Sequence, residues 1–232
     1  NAGFDPDSQE NLYAGTDAGA ASDADTCYNI GIGYRALNDV NEGDYNVAIG
    51  FDAGAKLTSG ECNVFLGPDA GANITTGDHG VMIGQFAGKY ATTPSDSVLI
   101  GRSAGKKVNG GENIFIGKTA GESSGTTTNN TGQRNIAIGI DAAKDITTGN
   151  YNAIFGYQAS ENLTTGTYNS VFGPRANRTG VLTGNFNVFM GYYAGDDISS
   201  GNSNVYLGKD AGRCATTGSN NIALGTDALG DA

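Results

Sequence analysis

Six aspartates recur at one position of a repeated pattern: Asp17, Asp52, Asp69, Asp141, Asp210 and Asp227. Stacked carboxylates could build a cation site, because a hard cation takes several oxygens at once. Arg35, Phe86, Ser103, Thr119, Gln158, Arg175 and Tyr193 interrupt the column, and the glycine–aspartate signature of calcium-binding repeats is missing. The column therefore reads as a solvated turn face, and no metal is expected. Cys27, Cys62 and Cys214 are too few, and odd in number, for a disulfide framework. Cys27 and Cys62 lie two repeats apart, roughly 9–10 Å at the spacing of stacked strands, which is beyond disulfide reach. His79 is the single histidine, so a zinc site is not expected, and no nucleophile motif surrounds it. No local pair of Asp or Glu stands out of the kind that cleaves glycosides. The expectation is a protein without a cofactor and without enzymatic activity.

Two further groups could recognise rather than react. Tyr28, Tyr45, Tyr151, Tyr168 and Phe186 occupy one repeated position. Such a row either stacks on sugars or covers the neighbouring repeat, and the second is expected. The segment Gly121–Gly132 is the one long insertion, and Thr126, Thr127, Thr128, Asn129 and Asn130 within it form a candidate receptor loop. Per-repeat insertions map to surface loops that often bind.

These residues must be positioned by a repeat. Thirteen glycines, from Gly15, Gly33 and Gly50 to Gly225, are separated by 16 to 18 residues, except for one separation of 22 across the insertion. An alanine follows each glycine by three residues, and an asparagine precedes it by four in eleven copies, with Gly80 and Ser97 as the exceptions. A second half reads apolar, Thr/Ser, Thr/Ser, Gly, as in Leu57-Thr58-Ser59-Gly60 and Ile146-Thr147-Thr148-Gly149. Seventeen residues are too few for a helix, a strand and their turns, and glycine at each turn disfavours helix. The pattern predicts an all-β fold: a parallel β-solenoid (β-roll or β-helix) of about thirteen coils with a ~17-residue repeat, spanning residues 1–232 as one repeat domain. Stacked coils place equivalent residues above one another. Asn29, Asn46, Asn63, Asn113, Asn135, Asn152, Asn169, Asn187, Asn204 and Asn221 should form an amide ladder.

The three residues between asparagine and glycine are nearly all apolar. A strand points alternate residues to opposite faces, and strands buried on both faces read as continuous apolar runs. One face can fill the coil, and the other must meet something else. Self-association as a homotrimer is expected, with the middle residues Phe65, Met82, Leu99, Phe115, Ile154, Val171, Phe189 and Tyr206 as its core; a wider monomeric solenoid is the alternative.

The unit Asn46-Val47-Ala48-Ile49-Gly50-Phe51-Asp52-Ala53-Gly54, followed by Leu57-Thr58-Ser59-Gly60, resembles the repeats of the trimeric β-roll heads of YadA-like autotransporter adhesins. It equally resembles the repeats of phage tail fibres and related virion fibres. The resemblance spans essentially the whole chain. It implies three parallel chains, each a left-handed β-roll, with apolar side chains toward a common axis. The 17-residue repeat is longer than that of the bacterial heads, and no neck, stalk or anchor is recognisable, so the chain reads as a fragment of a longer fibrous protein.

Composition narrows the function. A net charge of −11 disfavours nucleic acid and anionic membranes as partners, and no stretch approaches the ~20 apolar residues of a membrane span. The expectation is a structural fibre or head segment of a virion fibre or cell-surface adhesin, on the virion surface or outside the cell. Its partners would be its own copies and a host-surface glycan or protein receptor. A glycan-binding module acting through its lateral face or the 121–132 loop is the alternative. Ice binding is disfavoured, because most paired threonines sit beside a turn glycine.

Overall fold

The structure, a computed structural model, describes residues 6–123 and 130–230. It divides into two compact units, Asn1–Glu112 and Asn113–Ala232. Both are parallel β-solenoids built from the same coil. The first carries β1 (Leu12–Ala14), β2 (Ile30–Ile32), β3 (Val47–Ile49), β4 (Val64–Leu66), β5 (Val81–Ile83) and β6 (Val98–Ile100). The second carries β7 (Ile114–Ile116), β8 (Ile136–Ile138), β9 (Ala153–Phe155), β10 (Ser170–Phe172), β11 (Val188–Met190), β12 (Val205–Leu207) and β13 (Ile222–Leu224). Within each unit every strand pairs in parallel with the next in sequence, so that Val64 faces Val81 and Val188 faces Val205. No helix forms among the described residues. Turns complete each coil, because the fixed glycine demands a conformation open to no other residue type. Gly139 has φ +143°, and a Cβ there would stand 2.3 Å from the carbonyl oxygen of Gly156 in the next coil.

Strand alternation decides what fills the coil. Phe65, Met82, Leu99, Phe115, Ile154, Val171, Phe189 and Tyr206 are all 0 % exposed within the single chain. This corrects the expectation that the middle residues form an interchain core: they are the chain's own core. The fixed alanines, from Ala36 to Ala211, and the apolar residue of the second half, such as Leu57, Ile74, Ile146 and Leu163, complete it.

This narrow core packs by compensation between the middle strand residue and the residue following the fixed alanine. Where the middle residue is aromatic, Met or Leu, the second position is glycine, whereas Ile154 and Val171 are met by the buried Ser160 and Asn177. A Cβ on Gly71 would lie 2.4 Å from the Phe65 ring, one on Gly121 2.4 Å from Phe115, and one on Gly212 2.4 Å from Tyr206. Where the middle residue is Gly31, the second position is the fully buried Leu37. The Ala48 coil departs from the rule, since Gly54 is met instead by Phe65 of the next coil and Leu37 of the previous one. Close packing leaves no room for two large side chains at these positions.

The amide ladder forms as expected in both units. Asn46 Oδ1 accepts the backbone N–H of Asn63 at 3.0 Å and its Nδ2–H at 3.0 Å. The same Nδ2 of Asn63 donates to the Gly77 carbonyl at 2.7 Å. In the second unit Asn152 repeats this toward Asn169 and Gly166, at 2.8–3.1 Å. The asparagine and the Thr/Ser-Thr/Ser-Gly turn are therefore one device, in which the amide reaches the turn-glycine carbonyl of the next coil. At Gly80 only the backbone half survives, with its N–H donating to Asn63 Oδ1 at 2.8 Å.

The first ladder residue has no preceding asparagine, and an aspartate stands in for it. Asp7 Oδ1 accepts the N–H of Asn11 at 2.9 Å and Oδ2 accepts its Nδ2–H at 3.2 Å. Oδ1 also accepts the N–H of Gln9 at 3.0 Å. Partial burial alone would raise the Asp7 carboxyl, but these three hydrogen bonds to the charged form outweigh it and hold the carboxyl below its ordinary value. The first coil thus carries a polar cap, which the repeat pattern did not lead us to expect.

Candidate functional site

Two surface positions in every coil hold a left-handed backbone without glycine. The residue before the ladder asparagine has φ of 58° at Tyr45, 57° at Cys62, 54° at His79 and 55° at Tyr151. The second residue after the fixed glycine has φ of 51° at Asp52, 57° at Asp69, 59° at Arg175 and 57° at Tyr193. Aspartate tolerates this region better than most residues, which accounts for the aspartate column without a cation. The acids pair with cations instead: Asp52 with Arg35 at 3.6 Å, Asp69 with Lys89 at 2.9 Å and Asp210 with Lys209 at 2.9 Å. Among the described residues no three His, Cys, Asp or Glu side chains come together as a metal site.

The strand residues on either side of the buried middle one point away from the core. They are aliphatic or aromatic in nearly every coil. In the first unit they include Val64 and Leu66, Val81 and Ile83, and Val98 and Ile100, all half-buried, with Ile49 exposed. In the second unit they include Ile114 and Ile116, Ile136 and Ile138, and Val205 and Leu207, with Met190 exposed. Phe155 and Phe172 stack in this column with centroids 4.9 Å apart. Each unit therefore carries a continuous apolar stripe on the outside of its strands. These outward columns, not the middle one, are the face available to a neighbouring chain.

The tyrosine row covers its own neighbours. Tyr28 stacks on Tyr45 at 4.9 Å, and Tyr151 stacks on Tyr168, which stacks on Phe186, at 4.9 and 5.1 Å. The planes lie within 10° of parallel, so the facing ring faces are taken up by each other. Sugar stacking needs a free ring face, so this row is poorly suited to it.

Of the receptor-loop candidates, Thr126, Thr127, Thr128 and Asn129 lie outside the described residues. Asn130 is described and is fully buried, its Oδ1 accepting the N–H of Gly132 at 2.9 Å. It is a structural residue, not a receptor contact, because its side chain turns into the coil. All three cysteines are free. Burial, followed by the carboxylates of Asp44 and Asp25, pushes the Cys27 thiol above its ordinary value, which makes it a poor nucleophile. His79 is exposed and lies 3.6 Å from Asp96 of the next coil. No pocket forms among the described residues, and they contain no helix long and apolar enough to cross a membrane. No protein-family model, curated protein or solved structure matches the chain.

Proposed function

We infer that the chain is a structural segment of a virion fibre or cell-surface adhesin, in which three copies run in parallel around a shared axis and hold an attachment surface away from the virion or cell. The observation that carries this reading is the strand that is apolar on both faces while its own core is already complete. An exposed apolar stripe of this length is the mark of an interaction site. Its residues recur once per coil, so the surface that matches it along its length has the same repeat: another copy of the chain. A rotation that closes gives a finite assembly with the stripes inside. The resemblance of the Asn46–Gly60 unit to trimeric β-roll heads and tail-fibre repeats points the same way.

The test uses a chain with Cys27, Cys62 and Cys214 changed to serine and Val98→Cys introduced on the outward face. Treatment with a short trifunctional maleimide is expected to give a covalent trimer joined at the same residue. Recovery of modified monomer alone would overturn the parallel trimer.

A further inference from the structure

In the second unit the acid column is interrupted at Arg175 and Tyr193, and Tyr157 of the coil before and Arg213 of the coil after lie against them, giving a stack of alternating arginine and tyrosine. Tyr157, Arg175, Tyr193 and Arg213 come from four consecutive coils. The Arg175 guanidinium lies over the Tyr157 ring and over the Tyr193 ring, each at 5.8 Å, and Arg213 lies over Tyr193 at 5.1 Å. Arg175 Nη1 donates to the Tyr193 hydroxyl at 2.8 Å and approaches that of Tyr192 at 3.5 Å. Tyr157 and Tyr192 are exposed, and about half of the Arg213 side chain is open to solvent.

Stacking occupies the flat face of a guanidinium and leaves its N–H edge. With Nη1 of Arg175 engaged by Tyr193 and Nη1 of Arg213 by Asp210, the remaining N–H groups of each guanidinium are left to take a planar or tetrahedral oxyanion. Among the described residues Arg175 and Arg178 make no ion pair, while the nearly buried Asp210 is shared between Arg213 and Lys209. Both arginines of the stack stand in a chain of net charge −11.

We propose that the Tyr157–Arg175–Tyr193–Arg213 stack is a recognition surface for an acidic polysaccharide, with Arg175 and Arg213 each taking a carboxylate or sulfate of the polymer. The two arginines belong to coils two apart, roughly 9–10 Å at the strand spacing, so they read acid groups spaced along one strand of sugar. A polymer with sparse charge suits two separated guanidinium groups on an acidic protein. A dense phosphate backbone would be repelled by the rest of the surface. The surface lies in the turn after the strand and does not depend on the proposed trimer.

The experiment is affinity electrophoresis of the intact protein in gels containing alginate, dextran sulfate or uncharged dextran, with double-stranded DNA as a separate competitor. Retardation is expected in alginate or dextran sulfate, with the two gels distinguishing carboxylate from sulfate, and none in dextran. Arg175→Gln with Arg213→Gln should weaken binding by roughly tenfold per guanidinium. Arg35→Gln, at the equivalent position of the first unit, should not change it. The double variant should keep the unmodified protein's melting curve and solution mass, which separates loss of the surface from loss of fold or assembly. If the double variant does melt early, Arg175→Lys, which keeps the charge but loses the fork, should still weaken binding. Absence of binding to both acidic polymers, binding insensitive to the arginine changes, or equal displacement by DNA would overturn the proposal.

Discussion

The ladder asparagine is the most constrained residue of the coil, because each amide serves three partners in a place without water. Asn152→Ala would leave the N–H and Nδ2–H of Asn169 without their acceptor and the Gly166 carbonyl without its donor. At ~1–3 kcal/mol for each buried polar group left unpaired, this single change is expected to lower the denaturation midpoint more than the truncation of any exposed side chain; urea unfolding measures it. Asp7 is the same device at the chain's first described coil, with a carboxylate where an amide would be. Because its carboxyl is held low, its contribution is complete above the unfolded carboxylate range, about pH 3.9. It is lost as pH falls through the lower folded value. Asp7→Ala, or acid below that range, should release the Gln9 and Asn11 amides first, visible as shifts of those two signals in NMR while the Asn63 and Asn169 signals hold. A ladder of asparagines was legible from spacing alone. The cap was not, because Asp7 reaches Asn11 through a local turn that the repeat does not contain.

At the scale of the element, the coil balances volume between two positions six residues apart in sequence. Phe65→Ala should cost ~3–5 kcal/mol as a large-to-small change in the core. Gly71→Leu alone should also destabilise, since its side chain would collide with the Phe65 ring. Together they approach the Gly31–Leu37 arrangement, with alanine in place of glycine, so a double-mutant cycle is expected to return a favourable coupling. Equal or additive losses would show that the match is accidental. The fold class, the strand positions and the alanine column could all be read from the sequence. Which strand face lies inside was readable too, by an inference not drawn from the pattern. Asn63 and Phe65 are two residues apart, and side chains two apart share a face. A buried amide ladder therefore places the middle residue inside and Val64 and Leu66 outside. What hid this was the uniform hydrophobicity of the strand, which gives no polar face to mark the outside. The positive φ at Tyr45 or Arg175 was also invisible, because nothing in a tyrosine or arginine signals a left-handed backbone.

At the scale of the molecule, the proposed assembly rests on the apolar outer stripe that each unit carries beside a finished core. Ile83→Lys with Ile100→Lys places two charges on that stripe without touching the interior. The pair should abolish association while leaving the far-ultraviolet circular dichroism of the coil unchanged, since charge in a desolvated interface is costly. Phe65 and Leu99, now placed in the core, are the wrong residues for that experiment, because changing them would unfold the coil itself. The most direct measurement is the solution mass of the unmodified protein, by light scattering on the size-excluded species. A mass near three times 23.6 kDa is predicted. A mass of 23.6 kDa that persists as concentration is raised would contradict the account, since the outward aliphatic columns would then be stable in water without a partner.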